Sequence, residues 1–220
     1  MGWLLFLLFS VAHLTFICLD MPYTRPYSII PLMPILAYTL YQQTGNRPKF
    51  IKYAVIGLLF GWLGDIALSY DGLPYFISGL VSFLLGHLFY VATFKAENKE
   101  AKVVGFLRDK PFLILPYLAL MLFVVIKMGP NLGDFKIPVF AYCAVILYMS
   151  SMALNRFYST GRASAFIVLI GSLLFVFSDF MIAWNKFIEP VTNASFIIMI
   201  TYLLGQLGIA YGLVLAHAKK

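Results

Sequence analysis

Two aspartates lie in segments that are otherwise apolar enough to cross a lipid bilayer. Asp65 occurs within GLLFGWLGDIALSY, and Asp179 ends GSLLFVFSD. A carboxylate at the centre of a membrane helix costs about 2.5 to 3.5 kcal/mol on insertion scales, so acids at this depth need a reason to be there. Paired acids inside a membrane are typical of proton transfer, either in acid and base catalysis or in proton-coupled transport. The alternative for each is a structural acid that packs against a hydroxyl or an amide.

Further polar side chains lie in neighbouring apolar segments. His87 and Tyr90 follow the first aspartate on the next segment, and Tyr202 and Gln206 lie one helical turn apart on the last segment. These side chains can converge on the acids, although each could instead form an ordinary hydrogen bond between helices. Ser178 directly precedes the second aspartate but has no histidine at motif spacing, so a serine nucleophile is not predicted.

The Arg25-Pro26 pair predicts the start of a helix, because proline fits the first helical turn. The N–H groups of that turn and the Arg25 guanidinium could bind a phosphate, or Arg25 could be an ordinary interfacial cation. Metal binding is poorly supported, since the three histidines lie in different segments and an HExxH motif is absent from the sequence. No cofactor is predicted.

The chain contains an internal repeat. When the aspartates are aligned, both copies have a glycine eight residues earlier, and LLGHL around His87 corresponds to LLGQL around Gln206. The two copies lie about half of the 220 residues apart. We interpret the pattern as a duplication, with halves at about 1–105 and 106–220.

The composition indicates an integral membrane protein. Hydrophobic residues make up 62% of the chain and charged residues 11%, against roughly 25% charged residues in soluble domains. The net charge of +7 comes from basic residues spread over short connectors, so a nucleic-acid surface is not predicted. The apolar start of the chain lacks a basic region and a small-residue cleavage site. We therefore expect a first transmembrane helix there and not a signal peptide.

Eight apolar segments approach the length of about 20 residues that a transmembrane helix requires. They lie near 2–19, 26–42, 50–70, 75–94, 112–127, 137–155, 162–184 and 195–217. The sequence thus predicts an all-α polytopic membrane protein, a single domain over 1–220, built from two parallel four-helix repeats. The second and fifth segments contain Pro31, Pro34 and Pro116, so kinked helices are expected there.

The distribution of Lys and Arg predicts that both termini are cytoplasmic, with twelve basic residues on the inner side and four on the outer side. The inner residues are Arg47, Lys49, Lys52, Lys95, Lys99, Lys102, Arg108, Lys110, Arg156, Arg162, Lys219 and Lys220, and the outer ones are Arg25, Lys127, Lys136 and Lys186. Asp65 and Asp179 each lie five residues before the estimated outer ends of their helices, at Tyr70 and Trp184. Both acids would then lie roughly 7 to 8 Å below the outer boundary, in a cavity between the halves.

The residues in these patterns resemble the YhhN-like lysoplasmalogenase family of multi-helix membrane proteins. The resemblance rests on Arg25-Pro26, GDIAL at 64–68, F-x-x-G-x-x-x-F-x-x-G-H-L-x-Y from Phe76 to Tyr90, G-x-x-x-F-x-x-S-D from Gly171 to Asp179, and Y-x-x-G-Q from Tyr202 to Gln206. It extends from about 25 to 212. Arg25 is a departure that keeps the charge, because the family usually has Lys before this proline.

The resemblance implies an enzyme that hydrolyses the alkenyl ether bond of lysoplasmalogens, giving a fatty aldehyde and glycerophosphoethanolamine or glycerophosphocholine. Its substrates would be a lysophospholipid in the bilayer and water. The family's candidate catalytic acids correspond to Asp65 and Asp179 in this sequence. One would donate a proton, and the other would act as an ionised base or stabilise positive charge. The residues that would bind the phosphate or position the reactants are Arg25, His87, Tyr90, Ser178, Tyr202 and Gln206.

Two other classes of function stay open at this point. A small proton-coupled transporter also uses paired acids and parallel repeats inside the membrane. A lipid-binding or scaffold protein with structural acids is the third possibility. A bacterial inner membrane and an endoplasmic reticulum membrane are both compatible with the sequence.

Overall fold

The chain folds into α-helices joined by short connections. A computed structural model describes residues 1–21, 23–44 and 50–217, which form ten α-helices, four short 3₁₀ turns and no β-strand. The helices are α1 Gly2–Cys18, α2 Arg25–Ile29, α3 Leu32–Thr44, α4 Ile51–Leu68, α5 Leu73–Glu100, α6 Phe106–Asp109, α7 Leu115–Met128, α8 Lys136–Leu154, α9 Arg162–Phe187 and α10 Ala194–His217.

Six helical stretches in the described part of the chain are long and apolar enough to cross a membrane. They comprise α4, α5, α9 and α10, together with α7 and α8 extended by the 3₁₀ turns at their ends. The predicted second segment is divided into α2 and α3 around Pro31, which cannot donate a backbone hydrogen bond. At 13 residues, α3 is only about 20 Å long, and α1 has 17 residues. The all-helical membrane class is therefore confirmed with six candidate spans, while eight spans stay a prediction.

The observed helix ends change one expectation about the acids. Helix α4 ends at Leu68 and α9 continues to Phe187, whereas hydropathy suggested Tyr70 and Trp184. Hydropathy fails here because α9 keeps its backbone hydrogen bonds through polar residues beyond the apolar stretch. The predicted ends were wrong, so equal offsets from them no longer support equal depth. The cavity described below relates the two acids instead.

Two antiparallel helix pairs, α4 with α5 and α9 with α10, have the most extensive contacts within the described structure. A Cβ atom added to Gly86 would lie 3.0 Å from the carbonyl oxygen of Gly57, and one added to Gly171 would lie 2.8 Å from that of Gly205. Only glycine permits such close approach of two helix backbones. Between the pairs, the rings of Phe83, Phe175 and Tyr202 meet edge to face.

A buried ionic cluster joins the helix ends on the side of the molecule away from the acids. Arg156 is fully buried, and its guanidinium contacts both carboxyl oxygens of Glu97 and the hydroxyl oxygen of Ser164. His217 Nε2 lies 2.5 Å from Glu97 Oε1, and Ser164 donates to the carbonyl oxygen of Gly212 at 2.7 Å. Arg156, counted above as a connector cation, is thus a structural charge.

The orientation of the protein in the membrane stays a prediction. Four of the basic residues on which it depends, Arg47, Lys49, Lys219 and Lys220, lie outside the described residues.

Candidate functional site

Both aspartates line one cavity of about 470 Å³. It lies among α1, α2, α4, α5, α9 and α10, and the predicted site residues on its wall are Arg25, Asp65, Ser178, Asp179 and Tyr202. Its other lining residues include His13, Ile17, Leu68, Asp71, Phe83, Ile182, Ser195 and Met199. The structure therefore brings together five of the eight predicted site residues in a single space.

Asp179 is hydrogen-bonded to two side chains that come from other helices. Its Oδ2 atom accepts a hydrogen bond from the Tyr142 hydroxyl of α8 and lies 3.1 Å from Nε2 of His87 on α5. The Tyr142 hydroxyl is also 2.9 Å from His87 Nε2, so the three groups form a closed triangle. His87 is fully buried, and the Asp179 side chain is 7% exposed. Asp179 is therefore held at the wall of the cavity by two potential donors.

Asp65 is held by a chain of hydrogen bonds that continues into the protein interior. The Tyr202 hydroxyl donates to Asp65 Oδ2 at 2.8 Å. Gln206 Nε2 lies 3.4 Å from the Tyr202 oxygen, and the Tyr90 hydroxyl donates to Gln206 Oε1 at 2.5 Å. All four side chains are buried, and Tyr202 is the member of the chain that touches Asp65 directly.

The two acids share a pattern of hydrogen bonding. Each accepts from a helix of the other half of the chain: Asp65 of α4 from Tyr202 of α10, and Asp179 of α9 from His87 of α5 when that ring carries its proton on Nε2. In both carboxyls the protein contacts involve Oδ2, and Oδ1 has no hydrogen-bond partner within the described ranges. Each acid can therefore present one oxygen to a reactant or to water.

The remaining predicted residues lie behind the cavity wall or serve packing. His87, Tyr90 and Gln206 are not among the described residues that line the cavity. His87 contacts Asp179 from behind the wall, Gln206 contacts Tyr202, and Tyr90 contacts Gln206. Ser178 lies on the wall, but its hydroxyl donates to the carbonyl oxygen of Ile198 at 2.9 Å and so joins α9 to α10.

Arg25 lies where this cavity meets a second, more open cavity of about 710 Å³. Its Nη2 atom is 3.0 Å from Asp20 Oδ1 and 3.3 Å from the carbonyl oxygen of Ile17, and Asn185 and Asn193 line the same opening. Helix α2 has only five residues, so the N-terminal dipole expected to assist Arg25 is small. Among the described residues that line the two cavities, Arg25 is the only Arg or Lys.

On its other side, Asp179 borders an apolar recess of about 40 Å³. Apart from Asp179 and Tyr142, the recess is lined by apolar side chains of α4, α5, α8 and α9. This space has about the volume of one water molecule. Asp179 is thus located between the large cavity, which also contains other polar side chains, and a small apolar recess.

Sequence reasoning missed two residues of the site. Tyr142 is one of 14 tyrosines and lies in an apolar segment, so its residue type alone could not single it out. His13 was considered above only as one of three histidines in different segments, yet it is 2% exposed and lines the cavity. An imidazole inside an apolar helix was the available signal. Within residues 1–21, 23–44 and 50–217, no group of three or more His, Cys, Asp or Glu side chains is arranged to hold a metal ion.

Known proteins with similar sequences carry a common name. The chain is 31% identical over 159 residues to lysoplasmalogenase TMEM86A of Bos taurus, a match that covers 70% of this chain and 62% of the relative. It is 29% identical over 192 residues to human lysoplasmalogenase TMEM86B, with 82% of this chain and 72% of the relative covered. The matched region therefore spans less than two thirds of bovine TMEM86A.

No solved structure matches the chain significantly. The YhhN family model matches residues 23–213, which include the cavity-lining acids and the Arg25-Pro26 pair. The resemblance inferred from the motifs is thereby confirmed, and the chain belongs to the YhhN family.

Proposed function

We propose that this protein hydrolyses the alkenyl ether bond of lysoplasmalogens, releasing a fatty aldehyde and glycerophosphoethanolamine or glycerophosphocholine. The observation that carries the proposal is the single cavity onto which both acids open, each with an unpaired Oδ1 among the described residues. The names of the relatives and the membership of the YhhN family support the substrate class.

The reaction needs one proton donor and one group that stabilises a cation or activates water. Protonation of the second carbon of the vinyl ether leaves an oxocarbenium ion at the first carbon. Water adds to that carbon and loses a proton, and the hemiacetal collapses to the aldehyde and the free glycerol hydroxyl. Glycosidases handle a related cation with two carboxyl groups, so the residue types suit this chemistry.

The hydrogen bonds support a division of roles between the acids. Asp179 has two potential donors, His87 and Tyr142, and hydrogen bonds from such donors stabilise a carboxylate. Asp65 accepts from one neutral phenol, and no ion pair with a described residue holds it in the charged form. We therefore assign Asp65 as the proton donor, and Asp179 as the carboxylate that stabilises the cation and activates water.

The positions of the cavities support a binding mode for the lipid. Arg25 at the polar mouth would bind the phosphate after exchanging its contact with Asp20. The ether carbon would reach the acids in the cavity of about 470 Å³. Because the recess beside Asp179 is too small for an alkyl tail, the tail would leave between helices toward the bilayer.

The other predicted site residues would not contact the reactants directly. His87 would orient Asp179, while Tyr90 and Gln206 would orient Asp65 through Tyr202. The matched glycine contacts of the two helix pairs support the proposed duplication, as do the hydrogen bonds between halves. We retain eight membrane segments and cytoplasmic termini as part of the proposal.

A panel of lysophospholipids tests the proposal with purified protein. Aldehyde should form from a 1-alkenyl substrate and not from its saturated 1-alkyl analogue, which has no double bond to protonate. In D₂O, the aldehyde trapped at once should carry one deuterium next to its carbonyl carbon. Fatty acid released from a 1-acyl analogue would indicate a different hydrolase. Proton or solute movement across liposomes without aldehyde would indicate a carrier, and lipid binding alone would indicate a binding protein.

A further inference from the structure

His13 is a buried histidine with one ring nitrogen unused by the protein. It lies on α1, is 2% exposed and lines the cavity that contains both acids. Its Nδ1 atom is 2.6 Å from Ser28 Oγ, whereas Nε2 has no hydrogen-bond partner in the described part of the chain. A buried polar atom without a partner is unfavourable, so a group inside the cavity is needed to pair with it.

The tautomer of His13 determines what that group must be. The Ser28 hydroxyl has one proton, and both the carbonyl oxygen of Arg25 at 3.1 Å and His13 Nδ1 at 2.6 Å can accept it. When the proton goes to the carbonyl oxygen, His13 donates from Nδ1 to Ser28, and Nε2 of the neutral ring carries a lone pair that accepts a hydrogen bond. In that tautomer the missing partner is a donor, such as a hydroxyl group.

The position of His13 relates it to both ends of the proposed substrate. The carbonyl oxygen of Ile17, one turn further along α1, accepts from Arg25 Nη2 at 3.3 Å. His13 thus lies about 6 Å along the helix from the level of that contact, and it lines the same cavity as the acids. In a lysophospholipid the free hydroxyl of the middle glycerol carbon lies between the phosphate and the ether, so it would lie inside this cavity when the phosphate binds Arg25 and the ether carbon reaches the acids.

We propose that His13 Nε2 accepts a hydrogen bond from this free glycerol hydroxyl, and that His13 selects lysolipids over lipids acylated at that carbon. The inference rests on the proposed function. A second acyl chain removes the donor and leaves the nitrogen buried and unpaired, and sites built around a hydroxyl reject analogues that lack it.

A binding measurement tests the proposal without requiring catalysis. The ligands are an uncleavable 1-alkyl lysophospholipid and its 2-deoxy analogue, which lacks only the hydroxyl. The wild-type protein should bind the hydroxyl-bearing lipid about tenfold more tightly. H13A should remove that preference by weakening only the hydroxyl-bearing lipid. H13Q, which can place an oxygen near the former Nε2, should restore part of it.

The controls separate selectivity from general damage. Met199 lines the same cavity with an apolar side chain, so M199A should change the binding of both lipids equally. The proposal is overturned if H13A weakens both lipids equally, as a phosphate contact or a structural role would require, or leaves the preference intact. Wild-type protein that shows the preference but releases no aldehyde would refute the proposed function and leave the role of His13 standing.

Discussion

Tyr142→Phe removes a single hydroxyl group at the proposed active site. The substitution keeps the ring that lines the apolar recess and removes only the hydroxyl, which donates to Asp179 Oδ2 and lies 2.9 Å from His87 Nε2. If Asp179 carries the charge that stabilises the oxocarbenium ion, this bond joins a donor to an ionised group. Such bonds contribute about 1.5 to 3 kcal/mol.

At about 1.4 kcal/mol per factor of ten, that range corresponds to a fall in kcat of roughly 10- to 150-fold. The assay is aldehyde release from a saturating 1-alkenyl lysophospholipid. Tyr148→Phe is the matched control, because Tyr148 lies on the same helix and is 42% exposed. The control should keep the wild-type kcat. A Tyr142→Phe variant within twofold of the wild type would show that Asp179 does not depend on this donor, and our division of roles would fail.

Two further substitutions test the packing that positions the site. Gly171→Ala places a methyl group 2.8 Å from backbone atoms of α10, so it should destabilise the protein by about 1 to 3 kcal/mol in thermal unfolding. Gly161→Ala is the control, because the methyl group added there has no other atom within 4 Å, and its effect on stability should be nearly neutral. Equal thermal unfolding midpoints for the two variants would contradict the tight crossing of α9 and α10. Glu97→Gln leaves the buried Arg156 without its counter-charge and should cost about 3 to 5 kcal/mol, while the exposed Glu100→Gln on the same helix should cost little. A Glu97→Gln variant as stable as the wild type would show that the ionic cluster is not structural.

Patterns among neighbouring residues predicted the features that depend on short stretches of the sequence. Long apolar stretches gave the positions of the six candidate spans to within six residues at each end, and the cost of burying an acid pointed to Asp65 and Asp179. The prolines of the second segment suggested kinks, and the helix breaks at Pro31, whereas α3 continues through Pro34. Helix ends were less predictable, because α9 continues beyond its apolar residues.

Contacts between distant segments could not be predicted in the same way. Tyr142 reaches Asp179 only because α8 packs beside α9, and no spacing in the sequence records that contact. Arg156 looked like a connector charge until Glu97, from a helix much earlier in the chain, was found to neutralise it. The environment of His13 likewise depends on a distant contact, because its ring forms a hydrogen bond with Ser28 on a different helix.

The central claim is that the two acids act together on one substrate. It is tested most directly by aldehyde release from Asp65→Asn, Asp179→Asn and the double variant, each verified as folded. Each single variant should lose at least about a hundredfold in kcat, and the double variant should be no slower than the slower single one, because residues that act as a unit are not additive. Near-wild-type turnover in either single variant would contradict the claim, as would a loss in the double variant equal to the product of the two single losses.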